Sequence, residues 1–308
     1  MSKYEKYIVT ISVLHMDEYY TANNWPEEGG KTIIAPEVNL PGGSVSNTSC
    51  VCSTLGANVY FYDVLSKSEL NKTLLQDLKN HGINVDYVNF VDGLTDSKCL
   101  IISTPAERTI LGVLYPKPTV PLSQSQIELF NNASIVYTSM GAQYIIPDEY
   151  KNFMDFKHHG ALLAFDVEYG FNKPNEKILL ESADILFFNE FGFDSNIKDL
   201  SEEEYLDHLL ESGVRIIVIT LGKDGCRVKT KEDDFSIPAY DVKVVDTNGA
   251  GDTFNGSFLY GLLQGWEIYD IARFATAAAG YCVTQMGPRG GAVNEDIVRS
   301  FIKEHKSG

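Results

Sequence analysis

From residue 130 onward, short apolar runs alternate with longer amphipathic stretches. The runs are Ile135-Val136-Tyr137, Leu162-Leu163-Ala164-Phe165, Ile185-Leu186-Phe187-Phe188 and Ile216-Ile217-Val218-Ile219. Each is apolar throughout, as a strand covered on both faces must be. Between them, residues 147–159, 175–181 and 201–212 have helical length and spacing. This repeating β-α order predicts an α/β fold: a three-layer sandwich with a mostly parallel central sheet and helices on both faces. Ligands in such sheets gather at the carboxyl ends of the strands.

The first 120 residues break the pattern. Residues 18–40 and 97–117 mix polar, aromatic and β-branched residues with turn signals at Asn23-Asn24, Gly29-Gly30 and Pro105, and lack helical periodicity. They read as extra strands forming a small sheet that projects from the body as a lid, although long surface loops share this composition. No linker-like run separates them from the rest, so residues 1–308 are expected to form one domain carrying that lid.

Composition narrows the partners. A formal net charge of −17 repels nucleic acid and anionic membrane surfaces at long range. It does not exclude a phosphate pocket, because backbone N–H groups and one or two cations can hold phosphate locally. The five cysteines, at 50, 52, 99, 226 and 282, include one close pair with no second pair or histidine at zinc spacing. An odd count with no visible leader leads us to expect reduced thiols in a cytoplasmic protein.

The candidate chemistry lies in Val244-Val245-Asp246-Thr247-Asn248-Gly249-Ala250-Gly251-Asp252-Thr253-Phe254-Asn255-Gly256. An apolar strand, a glycine turn and a helix start follow one another, so the N–H groups of Gly249, Ala250 and Gly251 would face an anion at the first helical turn. Asp252 stands in the same turn. A carboxylate beside a cradle for a transferring phosphoryl group is the arrangement of a base in hydroxyl phosphorylation. Acidic residues also occur in first turns simply as partners of the helix dipole. Two imitators fail. Gly29-Gly30-Lys31-Thr32 lacks the P-loop's earlier glycine, having Trp25 there, and Gly249-x-Gly251 has Phe254 at the third dinucleotide-turn glycine.

The long string around Asp252 resembles the C-terminal signature of the ribokinase-like (pfkB) carbohydrate kinases. Pro41-Gly42-Gly43-Ser44-Val45-Ser46-Asn47 resembles that family's N-terminal Gly-Gly motif, and the motifs follow the family's order over nearly the whole chain. The resemblance implies an ATP-dependent kinase acting on a primary hydroxyl of a small carbohydrate. Its mild lean is toward ketohexokinases and fructokinases, hence a ketose or furanose. It implies Asp252 as base, with Gly249, Ala250 and Gly251 at the phosphoryl group and Arg108, of Glu107-Arg108-Thr109-Ile110-Leu111, assisting the transfer. Asp17, Gly43 and Asn47 would hold the sugar. Asn189, Thr220, Gly222, Gly225 and Ala278 would serve the nucleotide. Mg2+ would accompany ATP, and Asp246 with the Asn248 carbonyl resembles a site that K+ occupies in many relatives. Lids of relatives often pair two subunits, which leaves a homodimer open.

Three departures bear on this picture. The family's Asn-x-x-Glu reads Asn189-Glu190-Phe191-Gly192, with glycine at the glutamate position; Ser12 replaces a glycine ahead of Asp17; and Met140 stands where sugar-kinase relatives tend to have a glutamate. The altered metal motif motivates a second reading, a sensor that binds sugar and nucleotide without turnover. Tyr19, Tyr20 and Trp25 motivate a third, a nucleoside kinase with an aromatic pocket.

Overall fold

The computed structural model describes residues 6–305 apart from 106, 107 and 172. The chain opens with β1 (Tyr7–Ile11), β2 (His15–Ala22), β3 (Ile34–Gly42), α1 (Ser44–Thr54), β4 (Asn58–Tyr62), β5 (Val64–Leu65) and α2 (Glu69–Asn80). β6 (Asn89–Phe90), β7 (Lys98–Ser103), β8 (Arg108–Val113) and α3 (Gln124–Asn131) lead into the regular part. There β9 (Ile135–Ser139), α4 (Glu149–His158), β10 (Leu162–Val167), α5 (Pro174–Glu181), β11 (Ile185–Asn189), α6 (Glu190–Ile197), α7 (Glu202–Ser212) and β12 (Ile216–Thr220) follow in order. A hairpin of β13 (Cys226–Lys229) and β14 (Asp234–Ile237) precedes α8 (Ala250–Gln264), α9 (Ile268–Cys282) and α10 (Glu295–Glu304).

The four apolar runs are β9 to β12, adjacent and parallel in an eight-stranded sheet ordered β14-β13-β12-β11-β10-β9-β1-β4. Only the hairpin at one edge runs antiparallel. Because successive strand side chains point to opposite faces, Ile185 and Phe187 pack with α1, α8 and α9, while Leu186 and Phe188 pack with α4 to α7. Two separate cores result, one on each face, which accounts for strands that are apolar at every position. The fold is the expected ribokinase-like α/β sandwich.

A second sheet, ordered β3-β2-β7-β8, stands apart from the first. Its central β2–β7 pair is parallel and its two outer pairs antiparallel. It occupies residues 15–42 and 98–113, within a few positions of the segments read as extra strands. Buried Asp63 fixes its root: it accepts from the Leu14 N–H at 2.7 Å and from Lys117 Nζ at 2.5 Å.

Two helix starts meet beside this root. In α1, eight consecutive residues from Val45 to Cys52 are buried, polar ones included, because α8 crosses it closely. A Cβ on Gly256 would lie 2.8 Å from the Thr48 carbonyl oxygen, so the crossing requires glycine. That contact brings the first turns of both helices together at the carboxyl ends of the sheet strands.

Candidate active site

Gly249 is the N-cap of α8, and its φ of 73° and close approach to the Pro288 carbonyl exclude a side chain. No side chain caps this helix, whereas Ser68, Ser123, Asn189, Ser201 and Asn294 cap α2, α3, α6, α7 and α10. First-turn N–H groups have no intrahelical acceptor; the Ala250 N–H reaches back to the Thr247 carbonyl at 3.4 Å, and a Cβ on Gly251 would meet nothing within 4 Å. Small residues thus leave the approach to the donors clear.

Asp252 lies in the same turn, partly exposed. Asn47 Nδ2 donates to its Oδ2 at 2.8 Å, and Arg289 Nε donates to Asn47 Oδ1 at 3.0 Å. The two partners fix the amide's orientation, since only its NH2 can serve a carboxylate and only its oxygen a guanidinium. Arg289 also donates to Ser46 Oγ at 3.2 Å and to Asp77 Oδ2. Desolvation pushes the Asp252 carboxyl up to about 7; the Asn47 hydrogen bond pulls it down, and nearby Glu168 and Asp17 raise it. A carboxyl titrating near neutrality is suited to taking a proton.

Asp17 is buried on β2 against Gly42, where a Cβ would lie 2.2 Å from its carboxylate. Both glycines of the Gly-Gly motif therefore matter: Gly42 admits Asp17, and Gly43, at φ 98°, turns the chain into α1. His15 Nε2 lies 3.3 Å from Asp17 Oδ1. Burial lowers the His15 imidazole, but its hydrogen bonds to Asp17 and Cys99 outweigh that and push it up to about 10. The hydrogen bond to Asp17 thus favours the protonated form of His15 at the base of the small sheet.

Thr220, Gly222 and Gly225 line a cavity of about 610 Å3 that extends along Thr247, Ala250 and Gly251. Gly225, at φ 94°, would drive a Cβ to 2.0 Å from the Ile237 carbonyl oxygen. Two residues assigned to the nucleotide do not line this cavity. Ala278 is 1% exposed and faces the core; Ala279 and Gly280 form the wall instead. Asn189 caps α6 by accepting from the Gly192 N–H at 2.6 Å, and it pairs in register with Thr220 without lining the cavity.

Arg108 borders the glycine turn, donating to Asp246 Oδ1 at 3.2 Å and to Thr247 Oγ1 at 3.3 Å. Glu107 lies outside the described residues. Asp246 also accepts from the backbone N–H groups of Asn248 and Gly287, each at 2.9 Å. The Asn248 carbonyl accepts from the Cys282 thiol at 3.6 Å. Both Asp246 oxygens are thus engaged, one of them by a guanidinium, at the position where the resemblance implies K+.

The glycine in Asn189-Glu190-Phe191-Gly192 has a packing cause. A Cβ at 192 would lie 2.0 Å from the Val167 carbonyl oxygen, so this backbone cannot carry a glutamate there. Met140 is 1% exposed within the core. Tyr19, a candidate wall for a nucleoside base, is buried and accepts from Asn248 Nδ2 at 2.6 Å.

Sequence reasoning missed Arg289 and Asp77 as supports of Asn47, and the buried set Tyr137, Asp166 and Asn255 near Asp252. Asn255 donates to the Tyr137 hydroxyl at 3.1 Å, which donates to Asp166 at 3.4 Å. Burial, with Glu168 and Asp252 nearby, holds Asp166 well above the ordinary carboxylate range. Its signal was visible: Asp166 is the one charged residue in Leu162-Leu163-Ala164-Phe165-Asp166-Val167.

Known proteins agree with this architecture. A ribokinase of Arabidopsis thaliana, solved with ribose and ATP, superposes with a TM-score of 0.82 at 24% identity, covering 97% of this chain and 99% of its own. A 5-dehydro-2-deoxygluconokinase of Clostridium beijerinckii is 27% identical over 289 residues, 86% of this chain and 84% of that protein. The ribokinase of Bacillus subtilis is 25% identical over 297 residues, 96% and 99% of the two chains. The profile described as pfkB family carbohydrate kinase matches residues 8–295, from β1 to the start of α10. With the glycine turn, Asp252 and the cavity beside them in one continuous match, the chain belongs to the pfkB family of carbohydrate kinases.

Proposed function

We propose that this kinase transfers the γ-phosphoryl group of ATP to a primary hydroxyl of a small sugar, with a ketose or furanose as the acceptor class. The observation that carries this reading is the placement of Asp252, hydrogen-bonded to Asn47 in the uncapped first turn of α8, beside a cavity of about 610 Å3. That volume suits a nucleotide. The acceptor oxygen attacks phosphorus as its proton passes to Asp252, and ADP leaves. The N–H groups of Gly249, Ala250 and Gly251 stabilise the charge on the moving phosphoryl group. Arg108, already held beside the turn by Asp246, supplies positive charge, and Asp17, Gly43 and Asn47 hold the sugar. Mg2+ would be held by the ATP phosphates and water, in keeping with its reluctance to shed waters. Closure of the small sheet over the acceptor would exclude water as a competing acceptor.

Exposed Ile33, Val38, Ile110 and Leu111 give the small sheet and its border an apolar surface, which supports a homodimer paired through it. The kinase reading is tested by ADP release with ATP and Mg2+ across ketoses, aldopentoses, sugar acids and nucleosides, alongside Asp252→Asn. Turnover confined to ketoses or furanoses and lost in the variant is the expected result. Turnover with nucleosides alone overturns the acceptor class. Saturable ATP and sugar binding with no ADP from any acceptor overturns catalysis in favour of sensing.

A further inference from the structure

Asp77 and His81 stand one helical turn apart at the end of α2, Asp77 in its last turn and His81 as its C-cap. Residues four apart share a helix face, the spacing by which helices chelate metals. Against that face α1 presents Cys50. One ligand atom from each of Cys50, Asp77 and His81 lies within 4.8 Å of the others. Thiolate, imidazole and carboxylate are a donor set for zinc-like cations, whereas Mg2+ prefers oxygen alone. Sequence spacing conceals the group because its sulfur comes from a different helix.

The surroundings suit cation entry. Cys50 is fully buried, but the Asp77 and His81 side chains keep 30% and 27% exposure, so an ion can arrive from solvent on their side. The His81 ring is already oriented, with Nδ1 donating to the Asp77 carbonyl at 2.9 Å. Binding would draw the three ligand atoms together by roughly 1 Å, to metal–ligand distances of about 2.0–2.3 Å. The Cys50 thiol would release its proton to solvent, and water would fill the fourth position.

We propose that Cys50, Asp77 and His81 form a site for a thiophilic divalent cation of the Zn2+ type, and that filling it slows phosphoryl transfer. The link runs through contacts already described. Asp77 anchors Arg289, Arg289 holds the Asn47 amide oxygen, and Asn47 donates to Asp252. A metal on the Asp77 carboxylate competes with the guanidinium for it, which frees the amide to rotate and removes the base's hydrogen bond. The inhibitory half of the proposal rests on the kinase reading above; the binding half does not.

The test uses Co2+ as a probe, because a Co2+–thiolate site gives a near-ultraviolet charge-transfer band. One equivalent of Co2+ should produce the band in the wild-type protein and in Cys99→Ser, and Zn2+ should abolish it by displacement. His81→Ala, at a partly exposed position, and Cys50→Ser should both lack it. In the ADP-release assay with Mg2+ and ATP, Zn2+ should slow the wild type at least five-fold and leave His81→Ala largely unaffected. A wild-type protein without the band overturns the site. So does a band lost in Cys99→Ser but kept in Cys50→Ser, since that assigns the metal to His15, Asp17 and Cys99, whose ligand atoms also lie within 4.8 Å of one another. A normal band without slowed turnover overturns the coupling. If no sugar is turned over, absorbance alone still decides the site, so failure of the kinase reading is seen separately.

Discussion

Replacing Asn47 with leucine should move the pH dependence of the reaction as well as its height. Asn47 donates to Asp252 at 2.8 Å, and that bond favours the ionised carboxylate. A neutral donor to a charged acceptor contributes about 1.5–3 kcal/mol, and 1.36 kcal/mol corresponds to one pKa unit. Removing the donor should therefore raise the base by about 1–2 units from its present value of about 7. At pH 7 the ionised fraction would fall from about one half to about 1–10%, a loss of roughly 5–50-fold in kcat/KM, mostly regained by about pH 9–10. Leucine keeps much of the volume, so the helix crossing should survive. Initial rates of ADP release at low sugar concentration between pH 5.5 and 10 give the profile. A lost sugar contact would lower the curve equally at every pH. If the curve drops while its midpoint stays in place, Asn47 does not tune Asp252 and the reasoning is wrong.

Three further outcomes follow from contacts in the structure. The folded pKa of Asp252 lies above the ordinary carboxylate value, so the unfolded chain loses that proton first and stability falls as pH rises from about 4 to about 7. Asp252→Asn lacks this slope, and its Tm should gain on the wild type across that window when followed by calorimetry. Lys117→Met strands the Asp63 charge at a fully buried position, which should cost about 3–5 kcal/mol in urea unfolding. Ala279→Leu should raise the KM for ATP with little change in Tm, while Ala278→Leu should lower Tm by overpacking the core.

The sheet was legible because each of its four central strands must be apolar on both sides, and no amphipathic surface element imitates Ile185-Leu186-Phe187-Phe188. The turn at Gly249 was legible because its glycines and the helix that follows are contiguous in the chain; Val244-Val245, read as an apolar strand leading into it, is instead exposed and irregular, since the last strand ends at Ile237. What escaped depends on distance in sequence or on the face of a helix. Arg289 supports Asn47 from 242 positions away, and no local pattern announces that pairing. Ala277-Ala278-Ala279 carries no polarity difference to say which alanine meets the cavity. The glycine at 192 looked like a lost metal ligand, but its cause is a carbonyl on the neighbouring strand. The engagement of Asp246 likewise required knowing that β8 brings Arg108 to it.

The missing cap on α8 reaches beyond catalysis. Five other helices close their first turn with a serine or asparagine side chain, while this long and deeply packed one leaves its donors to whatever anion arrives. A bound phosphate donor completes the helix, so the folded chain is more resistant to unfolding when its own substrate is abundant. Resistance to proteolysis should then rise with nucleotide concentration, a dependence set by the same molecule the proposed reaction consumes.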